Sequence, residues 1–191
     1  MNYRTFVTIQ SLLMTASSMV FPFYLLLIRN IGDSYSQFGL AYGLFALTGA
    51  LVHPIIGRLS DQFGDRTFIL LHTWGMAGMM LIVPIIETVT ALYLVQIVMG
   101  ILGAVQKTSE KTVLARQSEG VQTGTKIGSY HLWTSVWGAI AVMLTGYLID
   151  FLTIGSLFYI ASFLYMIAGG LLLKSVTTTS KIQEKSPYSS S

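Results

Sequence analysis

Six apolar runs decide what this chain can fold into: residues 6–28, 38–56, 67–86, 89–106, 127–149 and 151–173. Each approaches or exceeds the ~20 residues that an α-helix needs to cross the hydrocarbon core of a bilayer. None contains an aspartate, glutamate, lysine or arginine. In lipid every backbone polar group must be satisfied within the chain, so apolar runs of this length read as helices. The expected fold class is therefore an all-α membrane protein with six transmembrane helices. A soluble reading fails on charge: 53% of the chain is hydrophobic and 10% charged, where soluble domains carry about 25%. The first run is too long and too weakly basic at its start for a signal peptide, and no convincing small-residue cleavage site follows it. Residues 175–191, rich in serine and threonine, read as a polar, disordered cytoplasmic tail after a membrane domain of residues 1–174.

The basic residues give the orientation. With a cytoplasmic amino terminus, one side collects Arg4, Arg58, Arg66, Lys107, Lys111, Arg116, Lys126, Lys174, Lys181 and Lys185, and the other holds only Arg29. That asymmetry follows the positive-inside rule and predicts cytoplasmic termini, most simply in the cell membrane. Asp33, Glu87 and Asp150 fall in the outer loops.

Between the second and third runs lies a polar stretch, Gly57-Arg58-Leu59-Ser60-Asp61-Gln62-Phe63-Gly64-Asp65-Arg66. Any tight turn between membrane helices favours glycine and polar residues. The spacing of Gly57, Asp61, Gly64 and Arg66 says more, because it resembles the loop between the second and third helices of the major facilitator superfamily. Weaker likenesses run through Gln96 with Gly100-Ile101-Leu102-Gly103 and through Gly128 to Asp150. Gln62 and Asp65 stand where that family commonly has basic residues, and Gln96 where it often has arginine.

The resemblance implies one six-helix half of a twelve-helix transporter that moves a small solute by alternating access. The halves of that fold share one orientation in the membrane, so two copies of this chain could pair as a homodimer. The alternatives are a second, different half, or a non-transporting subunit or truncated paralogue that binds a partner half. The resemblance also implies that Asp61 faces the amino end of a helix in the opposite half and latches the cytoplasmic gate. In a dimer that helix is the partner copy's fifth, beginning near Lys126 to Ser129. A capping aspartate within one subunit is the plainer role.

Polar groups inside the spans are expected to face the bundle interior or a water-filled path. His53, Gln96 and Gln10 are the candidate cavity-lining residues, and His72 is weaker. A histidine hydrogen-bonded to a neighbouring carbonyl is the plain alternative. Tyr130, His131, Trp133 and Trp137 open the fifth span, where an interfacial aromatic belt explains them at least as well as a binding site does. The first half of the segment from Lys107 to Lys126 reads as a continuation of the fourth helix, its charge suited to acidic headgroups. Small residues at Gly39, Gly43, Ala46 and Ala50 mark one face of the second helix for close packing. Pro22, Pro54 and Pro84 read as kinks.

Several functions have nothing to carry them. Cysteine is absent, which removes disulfides and thiolate metal sites, and no cofactor or metal is expected. A net charge of +3, without basic and aromatic residues interleaved, does not suggest nucleic acid. No phosphate-binding loop or intramembrane carboxylate pair points to an enzyme. A neutral or weakly polar, amphiphilic solute suits the composition of the spans.

Overall fold

The computed structural model describes residues 2–31, 34–120 and 122–184. Asp33 and Lys185, both counted in the charge asymmetry, lie outside them. The described residues form six long helices: α1 (Tyr3–Ile31), α2 (Tyr35–Phe63), α3 (Asp65–Ile82), α4 (Val89–Ser118), α5 (Thr123–Leu148) and α6 (Ile154–Glu184). Five are long and apolar enough to cross a membrane. The exception is α5, whose first half is diluted by Ser129, Tyr130, His131, Thr134 and Ser135.

The helices outrun the apolar runs, because hydrophobicity marks where lipid ends and not where a helix ends. Side-chain caps fix two starts: Ser34 accepts the Gln37 amide before α2, and Thr88 accepts the Ala91 amide before α4, each at 3.3 Å. Residues 175–184, expected as part of a disordered tail, continue α6, since extending an existing helix is far easier than starting one. Pro22 and Pro54 lie within α1 and α2. Pro84 instead sits in a 3-10 turn, Val83–Ile85, just after α3.

Packing follows the series α2–α4–α3–α6–α1–α5, with α1 and α4 meeting only lightly across the middle. α2 and α4 come close together at Gly49 and Gly100: a Cβ built on Gly100 would stand 2.5 Å from the Phe45 carbonyl oxygen. Small residues thus set this contact, as is usual where lipid gives helices no hydrophobic drive to associate. The expected stripe lies one face over. Gly39 and Gly43 have nothing within 4 Å of a built Cβ, and the stripe is exposed.

α1 and α5 run parallel. The Tyr3 hydroxyl donates to the Lys126 carbonyl at 2.5 Å, Phe6 stacks on Tyr130 at 5.5 Å, and Gly138 abuts Ser18 and Met14. α5 buries Thr134, Gly138, Ala141 and Thr145, a single helical face, and leaves the rest of its surface open. Ser162 on α6 donates to the Ala77 carbonyl of α3 at 2.8 Å.

Candidate functional site

A cavity of about 310 Å³ occupies the middle of the bundle. Its walls are soft and apolar, with Met14, Phe21, Phe45, Met76, Met80 and Met99 among them. Methionine and aromatic side chains adapt to varied apolar shapes, which suits a site for an amphiphilic guest.

Polar side chains supply little of the exposed wall but half of the lining residues, the charged Lys107 and Glu110 among them. Gln106 Nε2 on α4 donates to Gln10 Oε1 on α1 at 2.6 Å, bridging two helices that otherwise barely touch. The bond uses half of each amide. Gln10 Nε2 and Gln106 Oε1 stay buried without a partner, one free donor and one free acceptor, and an unmet buried polar group is costly. His72 Nδ1 donates to the Leu102 carbonyl at 2.8 Å, and its ring lies edge-on to Tyr165 at 5.9 Å. A nitrogen bonded to a carbonyl must carry a proton, so in the neutral ring Nε2 is the acceptor. At one end of the cavity the Tyr130 hydroxyl donates to Glu110 Oε1 at 2.5 Å, joining α5 to α4.

A second polar group lies where α2 turns into α3. The turn is a single residue: Gly64 has φ +84°, a backbone that glycine adopts without penalty. The expected ten-residue loop is therefore mostly helix, with Gly57 and Asp61 on the last turns of α2. Asp65 opens α3 and is only 5% exposed. Its carboxylate accepts from Ser60 Oγ at 2.6 Å and from Arg116 Nη1 at 2.8 Å, and the positive end of the helix dipole favours it there. Arg116 reaches Asp61 at 3.6 Å as well.

The residues expected to act are dispersed. Gln10 lines the cavity. Gln96 is buried on α4 but does not line it, and His53 pairs its Nδ1 with Thr108 Oγ1 at 2.9 Å between α2 and α4. Asp61 meets Arg116 of its own chain. Arg66 is half-buried beside Asp65. Lys126 Nζ donates to the Gln117 carbonyl at 3.1 Å, and Ser129 lines an outer groove between α1 and α5. Sequence reasoning missed Gln106, Glu110, Asp65 and Arg116 as parts of a site, and left Tyr130 between an aromatic belt and a site. One signal was available for part of this set. Met99, Gly103, Gln106 and Glu110 recur at helical spacing, so continuing α4 past its apolar run puts Glu110 on the face of Gln106.

Comparison with known proteins agrees with this architecture. The sequence profile of the Major Facilitator Superfamily matches residues 6–189. The uncharacterized MFS-type transporter YitZ of Bacillus subtilis (strain 168) is 50% identical over 159 residues, which is 83% of this chain and 97% of that protein. Multidrug resistance protein MdtG of Dickeya zeae (strain Ech586) is 24% identical over 77% of this chain and 37% of its own length. Tetracycline resistance protein, class H, of Pasteurella multocida is 33% identical over 69 residues, 17% of its length. This chain thus spans well under half of these two longer relatives. The helix order, the central cavity and the profile match agree: the chain is an integral membrane protein belonging to the major facilitator superfamily.

Proposed function

We propose that this chain moves a small, uncharged or weakly polar amphiphilic solute across the cell membrane by alternating access. It would act as a half-size transporter whose working unit is a homodimer with cytoplasmic termini. The observation that carries this is the central cavity: apolar walls for the body of a guest, and one free amide donor and one free acceptor for its polar edge. Membership of a transporter family supports the same reading. The exposed faces of α2 and α5 leave room for a second bundle, and the match to 97% of the Bacillus subtilis relative supports a six-helix unit.

In the dimer, Asp61 would face the amino end of the partner's α5 near Lys126 and Ser129. That end has no side-chain cap, so its first amides suit an outside carboxylate. Gly64 makes the turn that presents Asp61, and Arg66 steadies it. The test is flux of a panel of amphiphilic solutes into liposomes holding this chain alone. It is paired with crosslinking of Asp61→Cys to Lys126→Cys in a chain otherwise free of cysteine. Flux with an intersubunit crosslink supports the homodimer. A folded chain with neither favours a non-transporting subunit, or a truncated paralogue, that binds a different half.

A further inference from the structure

Outside the cavity, α1 and α5 enclose a groove of about 740 Å³, of whose lining the transport reading uses only Ser129. We infer that it is a binding site for one anionic phospholipid, its phosphate at Arg4 and an acyl chain laid along Trp133 and Trp137.

The parallel register of α1 and α5 sets the depth of each group. Tyr3 pairs with Lys126, Phe6 with Tyr130, and Gly138 lies against Met14 and Ser18. Arg4 therefore sits at the end of the groove, where the helices leave the membrane. It is exposed, and no carboxylate among the described residues pairs with its guanidinium. Ser129 stands less than one turn deeper on the opposite wall, at the depth of a glycerol ester below a phosphate. Ser11, only 7% exposed, adds a second hydroxyl-bearing side chain to the lining. Farther in, Val7, Leu12, Trp133 and Trp137 make the walls apolar.

From Arg4 to Thr15 the groove runs about 16 Å at 1.5 Å per residue, close to the ~15 Å hydrocarbon depth of one leaflet. An interfacial belt explains tryptophan at headgroup depth. It does not explain Trp137, which lies level with Met14, roughly 15 Å from Arg4 along α1. Both indoles are about half exposed, at 49% and 47%, and so present a face to a chain lying in the groove. A single basic residue near the surface favours an anionic headgroup by about fivefold.

The test reconstitutes the full chain in vesicles of phosphatidylcholine with a minor share of phosphatidylglycerol, the dibromo-acyl label on one lipid or the other. Quenching of tryptophan fluorescence is expected to be about fivefold more effective, per mole of labelled lipid, from phosphatidylglycerol. Arg4→Gln should abolish that preference, and Arg66→Gln, at a cation away from the groove, should keep it. Trp133→Phe and Trp137→Phe should each remove part of the preferentially quenched signal. Inorganic phosphate should not restore the signal, since without an acyl chain it cannot occupy the groove. Equal quenching by both lipids, or a preference that survives Arg4→Gln, overturns the assignment. So does protection of both tryptophans in a crosslinked dimer, which would make the groove a contact between copies.

Discussion

Arg116→Met is the most informative single change, because the structure gives its two ion pairs unequal weight. Asp65 is buried, accepts from Arg116 at 2.8 Å and keeps one other donor, Ser60. Asp61 has a side chain 73% exposed and lies 3.6 Å from the same guanidinium. Removing one partner of a fully buried pair costs about 3–5 kcal/mol, whereas an exposed pair contributes about 0–1 kcal/mol. Arg116 itself is 56% exposed, and Asp65 retains Ser60 and the start of α3. The loss should therefore fall between those limits, at about 1.5–2 kcal/mol. Methionine preserves most of the aliphatic stem, so that figure reports mainly the charge.

For a chain of this size each kcal/mol moves a melting midpoint by about 2–4 °C. Arg116→Met should lower the midpoint by about 3–8 °C, and Asp61→Asn by about 0–4 °C. Thermal unfolding in mild detergent, followed by tryptophan fluorescence, reads both. The double change Arg116→Met with Asp65→Asn should be milder than the sum of its parts by about 1 kcal/mol, since it leaves no buried charge unpaired. Equal midpoints for Arg116→Met and Asp61→Asn, together with additivity of the double change, would refute the claim that Asp65 is what Arg116 holds.

Asp61→Asn should nevertheless abolish most solute flux in liposomes at normal expression and a near-normal midpoint, and unchanged flux would remove the proposed latch. Gln106→Leu should lower stability by about 1–2 kcal/mol, because it leaves Gln10 without a partner. Gln10→Leu with Gln106→Leu should recover part of that loss while still weakening solute uptake, as melting and flux measured together would show. Gly100→Ala places a methyl against the Phe45 carbonyl, which cannot rotate away, and should cost about 1–3 kcal/mol. Gly43→Ala meets nothing within 4 Å in one copy, so it should leave the melting midpoint alone. Any drop in the dimer fraction by light scattering would place that face between two copies.

What the sequence made legible follows from which physical signals are local. Six apolar runs and their flanking charges report on the bilayer, and lipid allows them few structures, so the helical class was readable at once. The helix ends were not. Gly57 to Phe63 is polar, yet polarity outside the membrane does not stop a helix, and only the positive φ of Gly64 does. Close packing of small residues was readable as a tendency but not as a partner. Glycine at 43 and at 49 has the same chemistry, and only the position of α4 decides that Gly49 is the one used.

The site shows the same division more sharply. Asp65 and Arg116 stand 51 residues apart, and Gln10 and Gln106 stand 96 apart; no local pattern links either pair. Gln96 and Gln106 illustrate what a span's polarity can and cannot decide. Both are glutamines on α4, and burial in lipid favours turning either one inward. Ten residues of α-helix turn through about 1000°, so the two side chains leave the axis about 80° apart. Angle alone does not separate them, since Lys107, about 100° from Gln106 on the same helix, also lines the cavity. Gln106 is the one that faces the cavity, because Gln10 on α1 lies across from it and gives its amide a partner. Which polar residue becomes part of a site in a membrane bundle is thus settled by the neighbouring helix, through the bond it offers.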